Sequence, residues 1–176
     1  MNQILPNSEL IERVISQERK AQFQLFESTK RIVYSLAYRI LNDEDLAHDV
    51  LQDTYVEVFQ QLRSLKQPEA LIAWMKTITV RKAIKAGKKL FEFDHLDQSQ
   101  DPPDNQFDSW FDGELLDQAI RSLPPGARAV FMLTTVEGFS HKETAQLLGI
   151  SESTSKSQVT YAKKLLRNRI QTLLRI

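Results

Sequence analysis

Residues 140–166 read SHKETAQLLGISESTSKSQVTYAKKLL. Ser140 and Glu143 have the spacing of a capping box, in which each side chain satisfies an orphan backbone N–H of the other residue at a helix start. The short helix that follows carries Ala145, Leu147 and Leu148 and ends at Gly149, a residue that takes the left-handed turn without Cβ strain. Ser151 then caps a second helix whose apolar stripe is Val159, Ala162, Leu166, Ile170 and Leu173. A short helix, a glycine turn and a second helix with a polar start make the sequence form of a helix-turn-helix. Ala145 is small where the two helices must cross, and Ile150 is the apolar residue after the turn. Ser153, Thr154, Lys156, Ser157 and Gln158 suit entry into a major groove. Glutamine reads adenine by a bidentate pair, while Lys156 and Lys164 suit phosphates. A plain helical hairpin within a bundle is the other reading of this pattern.

The same periodicity extends outward. Leu115, Leu116, Ala119, Ile120 and Leu123 give a short amphipathic helix closed by Pro124-Pro125-Gly126, and a second runs from about residue 127 to 137 with Val130, Phe131 and Leu133 inward. In the first half of the chain a long helix buries Phe26, Val33, Leu36, Ala37 and Ile40 and stops at Leu41-Asn42. Asn42 or Asp43 caps the next helix, which buries Ala47, Val50, Leu51, Thr54, Val58 and Leu62 and carries Asp49, Gln52 and Asp53 together on its other side. Pro68 marks a boundary, and residues 69–89 form a third helix with Leu71, Trp74, Met75 and Ile78 inward. The expectation is an all-α protein of two small helical domains, residues 1–90 and 113–176. Between them residues 91–112 have paired prolines and no periodicity and read as an acidic linker. Phe91, Phe93, Phe107, Trp110 and Phe111 within it leave two readings open, a solvated spacer or a tether that docks in part.

The formal net charge is zero, but it hides a segregation. Residues 1–90 sum to +3, residues 91–112 to −7 and residues 113–176 to +4. Lys76, Arg81, Lys82, Lys85, Lys88 and Lys89 form one run without an anion, and six cations after residue 152 form another. That layout suits two polyanion-binding modules on a tether that repels polyanions. The absence of cysteine excludes disulfides and thiol chemistry. His48, His95 and His141 stand singly, without the spacing of a helical metal site. Neither a nucleophile–base pair nor a phosphate-cradling glycine loop appears, so a non-enzymatic protein without metal or cofactor is expected. The start MNQILPNSELIERV has no leader character and no eighteen apolar residues follow one another, so a cytoplasmic protein without membrane insertion is expected.

Residues 115–166 resemble the C-terminal promoter-binding domain of bacterial sigma factors of the extracytoplasmic-function group, in the sigma-70 family. LAHDVLQDTYVEVFQQL at 46–62, followed by ALIAWMKTITVRKAIK at 70–85, resembles the N-terminal domain of the same group. The resemblance implies a sigma region 2-like bundle and a sigma region 4-like helix-turn-helix domain. It also implies an alternative sigma factor that binds core RNA polymerase, directs it to promoters and assists melting. Asp49, Gln52 and Asp53 would dock on the clamp of the large polymerase subunit. Lys66, Gln67, Lys76, Arg81, Lys82 and Lys85 would meet the minus-ten element, where a base of the melted strand is flipped into the protein. Ser153, Thr154, Lys156, Ser157, Gln158, Tyr161 and Lys164 would meet the minus-thirty-five element as duplex, and an anti-sigma factor would be a further partner. Departures from the group pattern are His48 for a glutamate, Arg81 and Lys85 for an asparagine and an aspartate, and Ser153, Ser155, Gln158 and Tyr161 for a glycine, a valine and arginines. The last four imply an unusual upstream element.

Two other functions fit parts of the chain. A stand-alone helix-turn-helix regulator needs only the second half, and would bind duplex DNA tightly without polymerase. An α-helical protein-interaction adaptor would show no steep salt dependence on promoter DNA.

Overall fold

The computed structural model describes residues 7–93 and 113–174, and among these every regular element is helical. They divide into two compact units that break between Gly87 and Lys88.

The first unit holds four α-helices: α1 (Ser8–Ile15), α2 (Arg19–Leu41), α3 (Glu44–Gln61) and α4 (Leu71–Gly87). Each boundary has a local cause. The Asn7 side chain accepts from the Leu10 N–H and starts α1. Asn42 ends α2 in the left-handed conformation, with φ at 53°, and the Asp43 carboxylate accepts from the Leu46 N–H to start α3. Of the two residues expected to cap α3, then, Asn42 closes the helix before and Asp43 opens the one after. Pro68 stands first in a 3-10 turn (Pro68–Ala70) that leads into α4.

Leu10, Ile11, Val14, Leu25, Val33, Val58, Leu62, Leu71, Met75 and Ile78 meet in one apolar core, against which Phe26, Leu51 and Trp74 pack half-buried. The inward stripes expected for α2, α3 and α4 are thus largely present, with Phe26, Leu51 and Trp74 at the margin. Helix α1 was not expected. Its eight residues are too few for periodicity to declare, yet it buries three side chains, and the Arg13 guanidinium then grips the Glu18 carboxylate at 2.7 Å across the turn. Deeper in, Thr29 donates to the Leu25 carbonyl at 2.7 Å, and its hydroxyl oxygen lies 2.6 Å from the Tyr55 hydroxyl. The Tyr55 ring meets Phe26 edge-on at 4.9 Å.

The second unit contains α5 (Gly113–Arg121), α6 (Pro125–Phe131), α7 (His141–Leu148) and α8 (Glu152–Leu174). α6 widens into a π-turn (Met132–Val136) closed by the Glu137 N–H donating to the Met132 carbonyl, and Gly138 follows at φ 77°. From Gly126 to Phe131 α6 is buried all round, Arg128 included. The Arg128 guanidinium donates to the carbonyls of Leu123 at 2.8 Å and Arg121 at 3.3 Å, closing the end of α5. Loss of solvation pushes its pKa below the ordinary arginine value. Gly126 is a close approach: a Cβ there would run into the Glu92 carbonyl oxygen and stand 3.0 Å from the Phe93 ring. The first connector residues therefore lie on the second unit. The rest of the expected linker, residues 94–112, falls outside the described residues, with Phe107, Trp110 and Phe111.

Two outcomes are expected from these contacts. Burial pushes the Tyr55 phenol from 10.0 up to about 12, so the folded state holds its proton more tightly than the unfolded chain. The stability this confers is complete below pH about 10 and lost as pH rises towards about 12; urea titrations across that range should show the fall, and Tyr55→Phe should abolish it. Arg128→Met leaves buried carbonyls short of a donor and should cost the second unit about 1–3 kcal/mol, read by amide exchange in α5 and α6 with α2 and α3 unchanged.

Candidate nucleic-acid and protein interface

Helix α3 presents Asp49, Gln52 and Asp53 to solvent on one face. The next residue along that face is Val56, 57% exposed, and Phe59 follows it, also exposed. The spacing 49, 52, 53, 56, 59 carries this signal in the sequence, although its polar start alone marks it as a surface stripe. His48 borders the same face. Its Nδ1 is hydrogen-bonded to the Glu44 carbonyl at 2.8 Å and its ring lies 4.7 Å from that of Tyr34, which in turn stacks on Tyr38.

Helix α4 carries the first basic run. Arg81 and Lys85 are exposed on one ridge, Lys66 and Gln67 are exposed in the segment before Pro68, and Lys76 is half-buried. Lys82 turns the other way. Its ammonium binds Glu57 of α3 at 2.8 Å, and that hydrogen bond, with the fields of Glu57 and Asp53, raises its pKa. This ion pair ties a member of the expected minus-ten set to α3.

In the second unit the expected caps are made. Glu143 N–H donates to the Ser140 hydroxyl oxygen, and the Ser140 hydroxyl at 2.7 Å and the Ser140 N–H at 2.8 Å both donate to the Glu143 carboxylate, which holds that carboxyl below its usual range. Gly149 has φ 68°, and the Ser151 hydroxyl oxygen accepts from the Thr154 N–H. The start of α8 exposes Ser153 and Lys156; Thr154, Ser157 and Tyr161 are half-buried, and Lys164 is exposed one turn further on. Lys156 pairs with Glu152 at 3.0 Å, an exposed contact that a phosphate can displace.

Gln158 does not belong to this surface. It is 2% exposed and points into the unit, so the expectation that it reads a base is corrected. The reason is helical phase: the buried stripe of α8 runs Ser155, Gln158, Ala162, Leu166, Ile170, and Gln158 lies three residues after Ser155 and four before Ala162. Val159, expected inside, is accordingly half-exposed.

The described residues form two helical units, one with an acidic-to-apolar helix face beside a cationic helix and the other with a capped helix-turn-helix, the layout of a DNA-binding protein. The chain is similar to the model of sigma-70 region 2 over residues 25–90 and to that of sigma-70 region 4 over residues 113–166. It is 28% identical over 145 residues to the ECF RNA polymerase sigma factor SigE of Mycolicibacterium smegmatis, covering 77% of this chain and 56% of that one. It is 23% identical to the ECF RNA polymerase sigma-E factor of Haemophilus influenzae, over 99% of this chain and 100% of that one. Among solved structures it is similar to the sigma factor RpoE of Bartonella quintana, crystallised with the anti-sigma factor NepR, with 24% identity, a TM-score of 0.48 and coverage of 88% and 96%. The chain belongs to the sigma-70 family of RNA polymerase sigma factors, in its extracytoplasmic-function group. Members of this family are non-enzymatic factors of transcription initiation.

The Glu57–Lys82 pair yields a direct test. Both groups keep about a quarter of their exposure, so a double-mutant cycle with Glu57→Gln and Lys82→Met should give a coupling of about 0.5 kcal/mol in urea unfolding, shrinking as salt is added.

Proposed function

We propose that this alternative sigma factor docks on core RNA polymerase through the outer face of α3, holds the minus-ten element with the preceding segment and α4, and reads the minus-thirty-five element as duplex with the start of α8. The observation that carries this reading is the exposed row Asp49, Gln52, Asp53, Val56 and Phe59. Exposed carboxylates running into exposed apolar side chains make a docking face for a basic protein partner, and DNA recognition does not call for such a face. Arg81 and Lys85, with Lys66 and Gln67, supply cations and hydrogen bonds for melted DNA. Ser153, Thr154, Lys156, Ser157 and Tyr161 supply the groove-facing end of α8, with Lys164 on the phosphates. The domains behind these roles are the two units that break between Gly87 and Lys88, and the acidic stretch 91–112, whose first residues pack on the second unit, carries seven carboxylates that keep it off DNA. An anti-sigma factor that covers the same faces is the regulator this design invites. No helix among the described residues is long and apolar enough to cross a membrane, which accords with action in the cytoplasm.

The purified protein with core enzyme should initiate at a defined promoter. Asp53→Lys should weaken core binding at least about tenfold, roughly 1.4 kcal/mol, with thermal unfolding unchanged; normal core binding by that variant would sink the assignment of α3. Within the complex, Lys156→Gln should weaken duplex binding alike on all sequences and reduce the log–log salt slope by about one.

A further inference from the structure

The crossing of α7 and α8 has an unusually polar interior. α7 buries only Thr144 and Ala145. α8 buries Ser155 and Gln158 before its first buried apolar residue, Ala162, and Ser155 is the one whose bond to α7 is seen. The Thr144 hydroxyl is fully buried with no hydrogen-bond partner. The equally buried Ser155 hydroxyl has one: it shares a 2.9 Å hydrogen bond with Nδ1 of His141, the first residue of α7.

Apolar burial is non-directional, and a helix that buries two small side chains is only weakly oriented by it. A hydrogen bond loses strength steeply with angle and distance, so one made to a buried hydroxyl, as Ser155 is, favours a single orientation. Ser155 sits immediately before Lys156 and between Ser153 and Ser157, so whatever fixes Ser155 fixes the pose of the residues that would face the groove. The neighbouring hydroxyls add stiffness locally, since Ser151 bonds both Ser153 and Thr154 at 2.8 Å. None of those bonds, however, crosses from α7 to α8.

We propose that His141 is a positioning residue for DNA reading: its bond to Ser155 sets the roll of the first turns of α8 against α7, and through it the register in which Ser153, Ser157 and Tyr161 meet base edges. The inference rests on the reading of α8 as the duplex-binding helix. Base contacts depend on placement to a fraction of an ångström, whereas phosphate contacts tolerate more, so the bond should govern sequence discrimination more than overall affinity.

The full-length protein in complex with core polymerase is used to select from a random duplex library, and the selected site is then titrated against scrambled duplex over a range of salt. His141→Phe keeps a ring of similar size and removes Nδ1. It should lower affinity for the wild-type site about tenfold, broaden base preference, and leave affinity for scrambled duplex and the salt slope unchanged. Ser155→Ala should do the same, the double variant should be no worse than either single one, and His141→Asn, which returns a polar atom near the place of Nδ1, should recover part of the preference. Unchanged preference in His141→Phe overturns the proposal. So does a loss of equal size on all sequences, which marks a merely structural role, and so does a salt slope reduced by about one, which marks a direct phosphate contact. If the wild-type complex selects no sequence at all, the assignment of α8 fails and the proposal falls with it, an outcome separate from a normal wild type with an unaffected variant.

Discussion

The 2.6 Å contact between the hydroxyls of Thr29 and Tyr55 governs the first unit. It joins the middle of α2 to the middle of α3 inside the apolar core, where a missing partner would leave a buried polar atom unsatisfied. A bond between two side chains on facing helices fixes their mutual roll. Once Tyr55 must point at Thr29, Val58 and Leu62 follow it inward at i+3 and i+7, and Asp49, Gln52, Asp53 and Val56 are turned outward as a set. The caps at Asn42 and Asp43 hold the same phase from the helix end. The docking face of α3 is therefore a consequence of how α3 is bolted down, and its membership is decided from the buried side.

Much of this was legible before any coordinates. Serine and glycine at fixed offsets wrote the boundaries of α7 and α8, because caps act through neighbours three residues away. The stripes of α2, α3 and α4 were legible for the same reason, as period is a local property. What escaped depended on a partner distant in the chain or on too short a run. Glu57 and Lys82 are separated by 25 positions, so the cation run of α4 looked uniform until α3 was placed beside it. Helix α1 has barely two turns. Gln158 was misread through its chemistry: a polar side chain near the start of a reading helix was assigned to the outside, while its phase with Ala162 and Leu166 put it inside. Phase was the better guide.

The two units also differ in how their interiors are made. The first is apolar apart from a few threonines, Thr29 among them, whereas the second buries the Arg128 guanidinium, the hydroxyls of Thr144 and Ser155 and the amide of Gln158. Polar interiors trade some stability for uniqueness of geometry. That trade belongs where one helix must be presented at a set angle.

The approach of Glu92 and Phe93 to Gly126 bears on how the chain can be divided. The second unit recruits its neighbours from the start of the acidic stretch, so its physical edge lies near Lys88, well ahead of the first residue of α5. A fragment meant to carry the helix-turn-helix by itself should start there. Cut at Gly113, it would leave the bare backbone of Gly126 facing water where a carbonyl and an aromatic ring had covered it, and a crippled fragment would be mistaken for an intrinsically weak DNA-binding domain.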